Sequence, residues 1–367
     1  MKKNNITSGI EKNPENGEDN IYYNLTLVNN TDNPLNVQFN QTLGNSIIDN
    51  PQDYYLSCIR FFLDTANLPI FIFEENTYSV SIACNGVTHT ETVPFIPASG
   101  QPETYFNGIY SYQDFIDMIN VALSAAYADF GGTLPMAASE APYLYFDPKA
   151  NGLISLYAQT AYDSTNANPA TLITIWMNEA LYYFFDNFLY FFNKSNIALP
   201  FGYQIIVKSM GFGQNTSAFD STVPTGYYKM SQEYVAANRW RGPASLSFTS
   251  YTIGCRTEYI TGTSNNANSG IVQNAGTGIP LVSQFTDFIV STDPGDLAGW
   301  RGNLIYNSSS QYRLVDLQGC IVNKIDLSLY WQDVNNNSYP FSILPGTQSS
   351  IKLLFVKRSL YKNYKKT

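Results

Sequence analysis

With 367 residues, 44% hydrophobic but only 13% charged, the chain can build one or two cores and carries about half the usual share of charge. Aromatic residues reach 15% and a single histidine is present, which excludes a histidine-rich metal centre and favours an all-β protein with a polar, uncharged or partner-covered surface. The net charge of −9 is uneven: Ile351 to Thr367 holds six basic residues and no acid, leaving 14 basic against 29 acidic side chains, net −15, before it.

Residues 1–20 are polar, with Gly, Pro and Asn, and read as a mobile N-terminal arm without the apolar centre of a signal peptide. Strands are expected at 21–28, 35–41, 53–64, 77–84 and 87–95, the last two joined by Asn85-Gly86, a strong hairpin signal. After Pro97, Gly100 and Pro102, Ser111 and Asp114 open an amphipathic helix. Its apolar positions Phe115, Met118, Ile119, Ala122, Leu123 and Ala126 fall at helical spacing, and Gly131-Gly132 closes it. Short strands follow in APYLYFD, GLISLYA and TLITIWM. A second helix is then expected over NEALYYFFDNFLYFF, apolar nearly all round and therefore buried. It is too short for a membrane span and is interrupted by Asp186-Asn187.

From about residue 200 the pattern weakens, with strand-like GYQIIVKS, YYKMSQEYV and SLSFTSYTI among loop sequences such as SNNANSG. Strong strands return in PLVSQFTDFIV, RGNLIY and QYRLVDL. The segment CIVNKIDLSLYWQD (320–333) alternates cleanly, with Ile321, Ile325, Leu327, Leu329 and Trp331 on one parity, a half-buried strand. Turn signals at Asn335, Asn336, Asn337 and Pro345-Gly346 lead to a last strand, SSIKLLFVKRS, and the basic tail LYKNYKKT. The fold class expected is all-β dominated: a β-sandwich or barrel whose strands come from both chain ends, with an inserted mixed α/β or β-rich domain. The arm covers 1–20, the β-fold 21–96 plus 279–358, the insertion 97–278 and the basic C-terminal tail 359–367.

Catalytic signatures are missing: GxSxG, HExxH, P-loop and GxGxxG do not occur, and His89 lies in an expected strand with no partner pattern. Paired carboxylates remain open, since 29 acids leave many pairs. Cys58, Cys84, Cys255 and Cys320 are far apart and read as reduced, mostly buried thiols. The tyrosine pairs, Tyr182-Tyr183 among them, read as packing residues. Trp240, between Arg239 and Arg241, fits either a cation–π site or an ordinary loop contact. The basic residues Lys357, Arg358, Lys362, Lys365 and Lys366 are candidates for contact with nucleic acid by counterion release, or with an acidic protein patch.

The segments DYYLSCIRFFLDTANLPIF, SYQDFIDMINVAL, FTDFIV with GNLIYNSSSQYRLVDLQG, and IDLSLYWQDVNNNSYPFSILPGTQSSIKLLFVKRS resemble the penton (minor capsid) proteins of virophages and polinton-like viruses. The resemblance runs through most of the chain in order and is most specific at its C-terminal end. It implies a structural protein, not an enzyme, with a single jelly roll that forms a homopentamer at the icosahedral vertex among capsomers of a double jelly-roll major capsid protein. It implies a place in the virion after synthesis in the host cytoplasm or viral factory. Encapsidated dsDNA is a candidate partner for the tail, and host or giant-virus surface glycans are candidates for the insertion. No cofactor, metal or membrane span is expected. A trimeric receptor-binding lectin-like protein and a jelly-roll glycoside hydrolase are the alternatives.

Overall fold

The computed structural model describes residues 6–12, 20–46, 48, 50–97, 107–131, 140–147, 152–166, 168, 171–194, 200–208, 214–216, 221–234, 240, 242–255, 258–260, 282–289, 303–307, 314–318, 322–333 and 338–359. The chain divides into two compact units. One comprises Met1–Pro69, Pro102–Phe106 and Gly242–Thr367; the other comprises Ile70–Gln101 and Asn107–Arg241.

The first unit is a two-sheet β-sandwich of jelly-roll type. One sheet runs Ile6–Lys12, Ile21–Val28, Gln348–Lys357, Tyr54–Asp64, Val315–Gln318, Gly254–Cys255, with Asn303–Asn307 also on Tyr54–Asp64. The other runs Glu258–Ile260, Val282–Ile289, Pro243–Ser250, Lys324–Asp333, Ser338–Pro340, with Gln38–Thr42 on Lys324–Asp333. The two long C-terminal strands therefore lie in different sheets. Alternation explains both faces: Ile325, Leu327, Leu329 and Trp331 are buried along one strand, Tyr23, Leu25 and Leu27 along another.

Rings join the sheets. Phe61 lies 5.7 Å from Phe248 and 4.5 Å from Phe288 across the sandwich, each such pair worth about 0.5–1.5 kcal/mol beyond its buried area. Asn29 ties the chain's two ends together at the edge of the core. Its Nδ2 donates to the carbonyls of Ile343 (3.0 Å) and Asn33 (2.9 Å), and its Oδ1 accepts from Thr31 N–H (3.0 Å).

The second unit holds a five-stranded sheet in the order Tyr190–Asn193, Gly202–Ile205, Ile173–Met177, Ser79–Cys84, Val87–Thr92. A four-stranded sheet runs Tyr143–Asp147, Leu153–Gln159, Tyr227–Ser231, Gln214–Thr216. The helix Tyr112–Ala128 starts where Ser111 Oγ accepts from Gln113 N–H at 3.2 Å, and it buries Phe115, Met118, Ile119, Ala122, Leu123 and Ala126. Its core is a ring cluster: Phe115 stands 5.0 Å from Phe71, 5.2 Å from Phe184 and 5.3 Å from Trp240. Gly202 has φ +136°, and a Cβ there would lie 2.6 Å from the Met177 carbonyl oxygen, so only glycine allows this close pairing.

Several expectations change. The second helix covers only Glu179–Phe185, capped by Asn178 Oδ1 accepting from Leu181 N–H at 3.1 Å; the aromatic run continues as the strand Tyr190–Asn193, paired with Gly202–Ile205. Aromatic residues fit a strand at least as well as a helix, and the cross-strand partner decides. Nor is the run fully buried, since Leu189, Phe191 and Phe192 face solvent. Ile6–Lys12, expected within a mobile arm, pairs as a strand with Ile21–Val28. The hairpin of Ser79–Cys84 and Val87–Thr92 forms as expected around Asn85 (φ 48°) and Gly86 (φ 76°), but it pairs with Ile173–Met177 in the second unit. Pro243–Ser250 pairs with Lys324–Asp333 in the sandwich. The chain passes between the two units at residues 69/70, 101/102, 106/107 and 241/242.

Candidate functional site

The basic end of Gln348–Lys357 was the strongest candidate surface, and register explains its geometry. Val356 lies opposite Tyr55, and Tyr55 lies opposite Asp316 on the next strand. Arg358, just past the strand, reaches across this row: its guanidinium sits 4.6 Å above the Tyr55 ring, and its Nη2 lies 3.0 Å from Asp316 Oδ1. A pair this accessible contributes at most about 1 kcal/mol, but it anchors the first residue of the basic segment to the sandwich's own sheet. Lys357 is half-buried at the strand end. Lys362, Lys365 and Lys366 lie outside the described residues. Earlier on the same strand, Lys352 holds its ammonium 5.0 Å above the Tyr22 ring. The five candidates are therefore split: Arg358 is engaged within the fold, and the distal lysines carry the expectation of an external partner.

Other residues singled out on sequence fall into structural use. His89 lies edge-on to Phe130 at 4.4 Å, with its Nδ1 3.9 Å from Asp129 Oδ2. Trp240 is buried and donates its indole N–H to the Phe184 carbonyl at 3.3 Å, which settles it as a core residue. Tyr182 stacks on Tyr203 at 3.8 Å. Tyr227 donates its hydroxyl to the Glu140 carboxylate; burial first, then that bond, pushes its pKa up to about 12. Cys58 and Cys84 are free and buried, and burial pushes the Cys58 thiol up to about 12, against reactivity at neutral pH. Among the described residues no three His, Cys, Asp or Glu side chains gather as metal ligands, and no helix is long and apolar enough to cross a membrane.

Sequence reasoning missed one feature. Tyr183, Leu189, Phe191, Phe192 and Phe201 are exposed around the edge strand Tyr190–Asn193. The Asp186-Asn187 interruption was the signal that the helix ends early and that the aromatic run beyond it turns outward.

A strand-built molecule of this kind, with rings and cations used for packing, belongs to the class of structural β-sandwich proteins. The profile of the Sputnik minor capsid protein V18/19 family matches residues 21–357, and the chain belongs to that family. It is 29% identical over 217 residues to structural protein V19 of Sputnik virophage, covering 57% of this chain and 91% of that protein. It is 32% identical over 134 residues to the uncharacterized protein V18 of the same virophage, covering 29% of this chain and 78% of that protein. A chain of the 3.5 Å cryo-EM structure of the Sputnik virophage superposes with a TM-score of 0.71 at 26% identity, over 94% of this chain and 99% of that one. The crystal structure of the mavirus penton protein shares the fold, with a TM-score of 0.61 at 15% identity over 92% and 99% of the two chains. The protein is thus a minor capsid protein of the Sputnik V18/19 family, a structural component of a virion and not an enzyme, and neither the lectin nor the glycoside hydrolase alternative gains support.

Proposed function

We propose that five copies close into a homopentameric ring at each icosahedral vertex and contact capsomers of the major capsid protein through the sandwich. The observation that carries this reading is a sandwich closed by both chain ends, Ile21–Val28 against Gln348–Lys357, inside the stretch that matches the minor capsid family. A shell protein needs such a rigid body, and a five-fold ring needs heterologous contacts between two different faces of one subunit. Class averages and native mass spectrometry of the purified full chain should show a closed ring of five. A stable trimer or a monomer at capsid-forming concentrations would overturn the ring.

The basic residues Lys362, Lys365 and Lys366, which follow Arg358 in the chain, are the proposed contacts for a polyanion, either encapsidated dsDNA or an acidic capsomer face. Three phosphate contacts by these lysines would give DNA binding a salt dependence with a slope of about −3 on a log–log scale for one copy. Truncation after Arg358 should weaken DNA retention or vertex occupancy, and unchanged particles would remove the tail's role. The second unit is the candidate for contact outside the particle, with host or giant-virus surface glycans as the ligand class. A glycan array probed with whole particles tests this, and no bound glycan would sink it. Synthesis in the host cytoplasm or viral factory completes the reading.

A further inference from the structure

The five-stranded sheet of the second unit has two edges, Tyr190–Asn193 and Val87–Thr92, and among the described residues no strand pairs on the outer side of either. Register tells which backbone groups each edge turns outward. Ile206 N–H donates to the Leu189 carbonyl at 2.9 Å, so bonding alternates along the pair: Leu189, Phe191 and Asn193 face Gly202–Ile205, while Tyr190 and Phe192 direct N–H and C=O away from the sheet. At the opposite edge, Val93 N–H donates to the Tyr78 carbonyl at 2.9 Å, which leaves Thr88, Thr90 and Thr92 turned outward.

The side chains point the same way. Of twelve large apolar side chains exposed among the described residues, five surround the Tyr190–Asn193 edge: Tyr183, Leu189, Phe191, Phe192 and Phe201, the last 73% exposed. That strand carries no charge, and Phe191 and Phe192 leave opposite faces of it. Natural proteins protect such an edge with charge, proline or a covering element unless it is meant to pair. The other edge presents exposed Val87, Thr88, Thr90 and Thr92, β-branched residues that favour strand pairing and form good cross-strand partners for aromatic rings.

We propose that these edges are the two halves of one heterologous contact: Tyr190–Asn193 of one copy adds to Val87–Thr92 of the next, extending the sheet from subunit to subunit. A second copy of this chain is the occupant because the molecule carries both complementary edges on one sheet. An edge pairing with its own kind would close a two-fold dimer, whereas unlike edges allow a ring. This inference rests on the ring reading above, and it assigns the contact strands.

Cross-linking in the full chain tests it. With Phe192→Cys and Thr90→Cys in one chain, a short bismaleimide should yield covalent products up to five chains, beyond the background of the parent with its native cysteines. Either substitution alone should add nothing, and a mixture of the two single variants should add only dimers. Phe192→Pro removes an outward N–H while sparing the bonds to Gly202–Ile205, so it should raise the concentration needed for ring formation at least tenfold with the thermal transition retained. If the parent forms rings, the double variant gives no product above background and the Phe192→Pro rings persist at parental concentrations, the edge contact is wrong and the ring reading stands. Cross-linking by Phe192→Cys alone would show self-pairing and overturn the heterologous arrangement. A parent that forms no ring, with no cross-linked product, overturns both.

Discussion

The sandwich and the second unit are both strand-built, yet they dispose of apolar surface in opposite ways. In the sandwich, strands of eight to eleven residues come from chain ends more than 300 residues apart and bury one parity almost without exception. In the second unit, the five-stranded sheet uses strands of four to six residues around a ring cluster. Among the described residues, only two of the twelve exposed large apolar side chains, Tyr251 and Ile305, belong to the sandwich; the other ten belong to the second unit. Long alternating strands have one face to hide and one to wet. Short strands whose outer edges pair with no other described strand leave apolar side chains exposed.

The sharpest way to break this comparison is to open each core separately. Phe355 is fully buried in the central strand of the sandwich, and Phe355→Ala should cost about 3–5 kcal/mol. The loss should appear in urea titration at the sandwich transition, with limited proteolysis sparing residues 70–241; equal exposure of both units would erase the distinction. Asn29→Ala comes next. It removes the side-chain donor to the Ile343 carbonyl and one of the two donors to the Asn33 carbonyl, which keeps Thr31 Oγ1, and should cost the sandwich about 2–3 kcal/mol, followed by the same titration. A loss under half a kcal/mol would mean that water replaces the side chain and that the chain ends are not tied there.

Alkali offers a smaller, graded test. Burial raises the Cys58 thiol from 9.0 to about 12, so the folded sandwich holds this proton more tightly than the unfolded chain does. Its contribution is fully present below pH 9 and is lost as pH rises toward 12, with a slope of at most about 1.4 kcal/mol per pH unit. Cys58→Ala should flatten that slope in chemical denaturation at stepped pH, and an unchanged slope would assign the alkaline loss to the tyrosines instead. Arg358→Ala should have the least effect on folding, under about 1 kcal/mol, because its ion pair with Asp316 is solvent-accessible. A larger loss would make the strand end part of the core.

The helix Tyr112–Ala128 and the strands Lys324–Asp333 and Gln348–Lys357 were legible because each declares its period locally, and a cap or a turn marks its ends. The run from Leu189 to Asn193 was not: its rings suit helix or strand, and pairing with Gly202–Ile205 settles the matter. The candidate site divides the same way. The cations of the C-terminal segment are plain in the chain, but the row Val356, Tyr55, Asp316 that captures Arg358 exists only once three strands are in register.

What the chain by itself determined is therefore the sandwich class and those elements whose period is declared locally, since a period of two or of 3.6 residues selects which side chains share a face. Tertiary structure alone decided which sheet each strand joins: the Asn85-Gly86 hairpin went to Ile173–Met177, the two C-terminal strands to opposite sheets, and the aromatic strand to an open edge. The reason is physical. Backbone hydrogen bonds are the same for any pair of alternating strands, so only the packing of particular side chains across hundreds of residues can choose among partners.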